Sequence, residues 1–98
     1  MIVLIVDQLG RIVATPGALG PLAAADTSPS TLLRRHAAGD WGDLDAHDRA
    51  ANDDALRDGS RLLSAYIVAE GVKIWIITEA ADEDGHRAAT TLLLPEEY

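Results

Sequence analysis

Seven aspartates fall between positions 40 and 58 of this 98-residue chain: Asp40, Asp43, Asp45, Asp48, Asp53, Asp54 and Asp58. Carboxylates at that density suit three tasks: holding a hard cation, moving protons, or presenting negative charge to a basic partner. A calcium loop needs oxygen ligands at fixed odd positions, a central glycine and a closing glutamate. Asp40-Trp41-Gly42-Asp43-Leu44-Asp45 has its glycine in the wrong place and no closing glutamate, so no metal ligands are assigned. Some of the charge has local work: Asp45 can cap a helix, and Asp45–Arg49 and Asp53–Arg57 are i,i+4 pairs worth about 0.2–0.5 kcal/mol each. Asp54 and Asp58 are instead an i,i+4 like-charge pair, and Asp58 lies at the negative end of the helix dipole. Carboxylates kept where the helix disfavours them point to selection for surface charge; a solvated helix face is the plainer alternative. Trp41, set among glycines and aspartates, either plugs the core beneath the helices or anchors a partner, as interface tryptophans often do. The candidate partner-binding residues are therefore Asp40, Trp41, Asp43, Asp48, Asp54 and Asp58.

Other chemistry finds less support. His36, His47 and His86 lie on three different predicted segments without an HExxH spacing, and each reads as a surface imidazole. No GxSxG, GxxxxGK[ST] or GxGxxG run is present. Glu79 and Glu83 stand near His86 and Arg87, which would suit a small acid–base site, and loop solubility explains them equally well. Without cysteine there is no disulfide, thiolate chemistry or Cys-based metal site. No cofactor is expected.

Sixteen Asp and Glu against eight Lys and Arg leave a net charge of −8. That balance opposes direct nucleic-acid binding and anionic membranes, and it favours basic partners and solubility. The apolar start Ile2–Val6 is far shorter than a membrane span and lacks a basic flank, so it reads as neither span nor signal peptide. A cytoplasmic protein is expected.

The elements that must position these residues form one domain over 1–98. Ile2–Val6 and Arg11–Ala14 read as short strands joined through Gly10. A short helix is expected near Leu22–Ala25. Ser28-Pro29 opens a helix to about Ala38, stopped by Gly39, with Leu33 and Ala37 sharing a face. A second runs from about Asp45 to Asp58, closed by Gly59, with Leu44, Ala51 and Ala55 clustered in a narrow sector of its wheel and Leu56 off to one side. Arg61–Ala69 and Val72–Ala80 flank a Glu70-Gly71 turn, and Ala89–Leu94 forms a third strand ended by Pro95. Ile74 and Ile76 face one side of the middle strand and Trp75 and Ile77 the other, which marks a central strand. The fold class is α+β: two to three helices packed on an antiparallel sheet, with a C-terminal three-stranded meander.

Five segments carry a resemblance. They are 11–19 (RIVATPGAL), 39–43 (GDWGD), 62–66 (LLSAY), 73–80 (KIWIITEA) and 90–98 (TTLLLPEEY). Together they resemble a family of small bacterial proteins carried on plasmids and other mobile elements. The resemblance covers about Arg11 to Tyr98 and transfers no activity or site residue. The 82–87 loop is longer than in those proteins, which counts against a catalytic loop. Mobile-element residence implies company with defence inhibitors, some of which imitate DNA. Duplex DNA offers one negative charge per roughly 1.7 Å of axis, a spacing an aspartate-rich helix could approximate.

The leading expectation is thus a non-enzymatic binding protein. Its Asp40–Asp58 surface would meet a basic surface on a nucleic-acid-handling partner. Two rivals stand beside it. One is a small nuclease of toxin type using Arg61, Glu79, His86 and Arg87. The other is a homo-oligomeric assembly module, a homodimer at its simplest, in which a partner subunit covers the sheet.

Overall fold

The computed structural model describes residues 6–98, with side chains from Gln8 onward. A 3-10 turn at Val6–Leu9 leads into β1 (Arg11–Ala14). Three helices follow: α1 (Pro16–Ala24), α2 (Pro29–Ala37) and α3 (Ala46–Asp58). Then come β2 (Leu62–Ala69), β3 (Val72–Thr78), β4 (Ala89–Leu93) and a closing 3-10 turn at Pro95–Glu97. The class is α+β, three helices on a four-stranded sheet of order β1-β4-β3-β2.

The meander β2-β3-β4 is antiparallel, as expected, and Glu70-Gly71 makes its first turn. The sheet as a whole is mixed, because β1 runs parallel to β4 with Ile12 opposite Thr90. Its direction is set from both ends by contacts with β4. The Thr90 hydroxyl holds the Leu9 carbonyl at 2.7 Å, and the Thr15 amide reaches Leu92 O at 3.0 Å. The expected Ile2–Val6 strand lies outside the described residues except for Val6, which opens the first 3-10 turn.

Helix starts follow their caps. Thr15 Oγ1 accepts the Ala18 amide and Pro16 takes the first helical position, so α1 begins well before Leu22. Ser28 caps α2 and Asp45 caps α3, the latter accepting the Asp48 amide at 2.8 Å. Gly39 and Gly59 close them as the sequence indicates.

One sheet face carries the main core. Ala18 and Leu22 of α1 and Leu32 of α2 meet Tyr66, Ile74, Ile76 and Leu92. A smaller cluster joins Trp41, Ala55 and Leu62. Ala37 and Ala55 are buried as expected; beside them Leu32 and His36 are more deeply buried than Leu33, and Asn52 is buried in place of Ala51. Asn52 is drawn in because its amide pairs with the free edge of β2. Its Nδ2 donates to Leu63 O at 2.6 Å, and its Oδ1 accepts the Leu63 amide at 3.0 Å. Two residues on, Ala65 N reaches Trp41 O at 3.0 Å and Asp43 N reaches Ala65 O at 2.6 Å. Loop and helix together occupy the β2 edge, which removes a template for further strand pairing.

Residues alternating with the core set point to the opposite sheet face. There Tyr98 lies edge-on to Trp75 at 5.9 Å between ring centres, with Arg61 stacked 5.1 Å from its centroid. Ile67, Val13 and Tyr98 remain exposed.

Candidate functional site

The turn after α2 and the outer surface of α3 carry the six candidate residues, and most have a local partner. Asp40 grips Arg35 through two hydrogen bonds, 2.7 Å from Nε and 3.3 Å from Nη2, and accepts the Gly42 amide at 3.2 Å. The Arg35 bond is the chief cause that holds its carboxyl below the ordinary range. Asp43 pairs with Lys73 at 3.1 Å. Asp54 pairs with Arg57 one turn along α3. Asp58 accepts the Ser60 amide at 2.8 Å, and hydrogen bonding to Ser60 lowers its carboxyl. Asp48 alone of the five aspartates has no side-chain partner among the described residues.

Two expected ion pairs are replaced. Arg49 turns from Asp45 and donates to the Leu44 and Gly42 carbonyls at 2.9 and 3.0 Å, clamping the loop that feeds α3. Arg57 takes Asp54 rather than Asp53, because Asp53 faces Trp41 and accepts its indole N–H at 3.3 Å. The Asp54–Asp58 repulsion is therefore relieved at both ends, by Arg57 and by the Ser60 amide. Trp41 is 6% exposed, with its ring edge-on to His36 at 5.7 Å. Of its two readings, the core plug is the one the structure takes. A cavity of about 240 Å³ lies over its rim, lined by Asp40, Arg49 and Asp53 among others.

His36, expected at the surface, is fully buried. Its Nδ1 lies 2.5 Å from Ser64 Oγ and its Nε2 2.8 Å from Thr78 Oγ1, which in turn lies 2.8 Å from Thr90 Oγ1. Proton counting fixes every direction in this string. Thr90 spends its one hydroxyl proton on the Leu9 carbonyl, so Thr78 must donate to Thr90. Thr78 then has only acceptor capacity for His36, which places the imidazole proton on Nε2. Nδ1 is left to accept from Ser64. The string needs a neutral ring, and burial, helped by the nearby Arg87 charge, pushes the imidazole down to about 4. It ties α2 to all three meander strands and to the turn before β1.

The acid–base set of the nuclease reading divides between two places. Arg61 lies on the sheet face with Tyr98, donating to its hydroxyl. Arg87 clasps backbone, reaching the Ser60, Glu79 and Ala55 carbonyls at 2.8, 2.9 and 3.1 Å. Asp82, Asp84 and His86 bring three ligand-type atoms within 4.8 Å of one another in an exposed loop, away from the 40–45 segment. Asp82 Oδ1 there already accepts the Asp84 and His86 amides, both at 2.9 Å.

Among the described residues no helix is long and apolar enough to cross a membrane. Comparison with protein-family models, curated proteins and solved structures returned no match.

Proposed function

We propose that this chain is a small non-enzymatic binding protein whose α3 surface and preceding loop meet a basic surface on a partner. A nucleic-acid-handling protein is the partner class that fits, since such proteins carry the cationic patches that an acidic surface can occupy. The observation that carries the reading is the charge left after pairing. Asp40, Asp43 and Asp54 are matched by Arg35, Lys73 and Arg57, while Asp45, Asp48, Asp53 and Asp58 make no contact ion pair among the described residues, Asp58 feeling Arg57 and Arg87 only through space. The weight therefore moves from Asp40 and Asp43 towards Asp48 and Asp58, with Asp54 between them in an exposed pair of little intrinsic strength. Trp41 supports that surface from beneath. The test is affinity capture from cell extract with the wild-type chain and with Asp48→Asn/Asp54→Asn/Asp58→Asn. A basic protein recovered by the first and lost by the second, and released by salt, supports the reading. Identical recovery by both removes it.

A second reading, self-assembly, is favoured by one observation: the core-forming helices lie on one sheet face, and the opposite face exposes Val13, Ile67 and Tyr98.

A further inference from the structure

In a chain with twice as many acidic as basic residues, one cavity is lined by cations. It has a volume of about 580 Å³, within the range of small-molecule sites, and lies where the end of α3 meets the loop before β4. Leu56 and Arg57 line it from α3, His86 and Arg87 from the loop before β4, and Gln8 from the turn before β1; no described Asp or Glu lines it. The Asp82 and Asp84 carboxylates stand near the His86 ring but outside the lining.

Arg87 gives this cavity its chemical character. Three of its five N–H groups are committed to the Ser60, Glu79 and Ala55 carbonyls. The Nε proton and one Nη2 proton have no acceptor among the described residues, and the guanidinium has no ion pair there. It is also partly desolvated, which lowers its pKa, while Asp58 acts on it only through space. A guanidinium partly withdrawn from water, with only a carboxylate beyond contact distance to balance it, gains from an anion that can reach its two open N–H groups. Arg57 can swing in, since its pair with Asp54 is exposed on both sides and such pairs hold weakly.

We propose that this cavity binds the phosphate group of a small phosphorylated molecule, held by Arg87, Arg57 and His86. Guanidinium N–H groups match phosphate oxygens, and two arginines with an imidazole suit a dianion better than a single carboxylate. The volume exceeds what inorganic phosphate fills, which leaves room for the rest of the molecule. A nucleic-acid strand is disfavoured, because Asp54, Asp58, Asp82 and Asp84 flank the lining residues and would repel its further phosphates.

The test is calorimetric titration with inorganic phosphate, alongside amide NMR shifts, at low ionic strength. Saturable binding with Kd at or below about 1 mM is expected, with shifts concentrated in residues 56–59 and 81–87. Arg57→Gln and His86→Gln alter exposed side chains and should leave the fold intact, as circular dichroism will show. Each is expected to weaken binding by about tenfold. Failure to saturate, or equal affinity in a folded Arg57→Gln/His86→Gln double variant, overturns the site. Tighter binding of a single-stranded oligonucleotide than of phosphate overturns the small-molecule assignment.

Discussion

His36 concentrates several demands in one side chain. A buried imidazole is tolerated only if both ring nitrogens are satisfied, and here the Ser64 and Thr78 hydroxyls do so for the neutral form alone. Protonation would turn Nδ1 into a donor facing a hydroxyl whose proton already points at it. In the unfolded chain the ring titrates near 6.5, whereas the folded chain refuses the proton until about 4. Unfolding therefore takes up a proton between those values. Stability is complete above 6.5 and falls as the pH drops from there towards 4. From pH 7 to pH 5 the loss is expected to be about 2 kcal/mol, at 1.36 kcal/mol per pH unit below 6.5. The depressed carboxylates of Asp40, Asp58, Asp82 and Glu97 contribute at lower pH, so that window belongs to His36. Urea denaturation at pH 7, 6 and 5 measures the slope. A flat profile would show that the ring is accessible or already charged when folded.

At the scale of elements, what could be read from sequence was whatever has a local cause. Ser28-Pro29, Asp45, Gly39 and Gly59 mark helix ends through bonds within a few residues, and these boundaries stand within a residue or so. Long-range causes stayed hidden. His36 is buried by partners 28 and 42 positions away, and Asn52 by an edge 11 positions away, so neither shows in an apolar periodicity. β1 is four residues long, too short for its pattern to reveal a parallel neighbour. The acidic stretch was legible as composition, but its ion pairs were not, since side-chain choice between i+3 and i+4 depends on what Trp41 draws towards itself. The turn that brings Trp41 and Asp43 to the β2 edge depends on Gly42, at φ 76°, where an added Cβ would overlap the Ala65 carbonyl and the Tyr66 ring. Gly71 has nearly the same φ, 71°, but open space around it. Gly71→Ala should therefore cost only left-handed strain, about 1 kcal/mol, and Gly42→Ala at least about 2 kcal/mol more. Thermal unfolding of the two variants separates close approach from backbone conformation. Equal losses would mean that the loop does not seat against β2.

At the scale of the whole molecule, the two functional readings respond oppositely to salt, because net charge enters them with opposite sign. Two copies of a chain at −8 repel, so self-association through the open sheet face must overcome that repulsion. The face holds Val13, Leu63, Ile67 and Trp75, with Arg11, Arg61, Lys73 and Glu79 around them by strand alternation. Four strands at about 4.8 Å and about six residues each at about 3.3 Å give it roughly 400 Å² in projection, or about 800 Å² over two copies, below the about 1,000 Å² that a specific interface clears. Any dimer formed there is weak and strengthens as salt shortens the screening length from about 30 Å at 0.01 M to about 3 Å at 1 M. Binding of the acidic α3 surface to a basic partner weakens over the same range. Sedimentation velocity at about 0.02 and 0.5 M NaCl, across a range of protein concentrations, reads the first effect directly. If the sheet face pairs, the weight-average sedimentation coefficient rises with concentration, more steeply at the higher salt, and Ile67→Lys abolishes the rise. A strict monomer at both salts removes self-assembly.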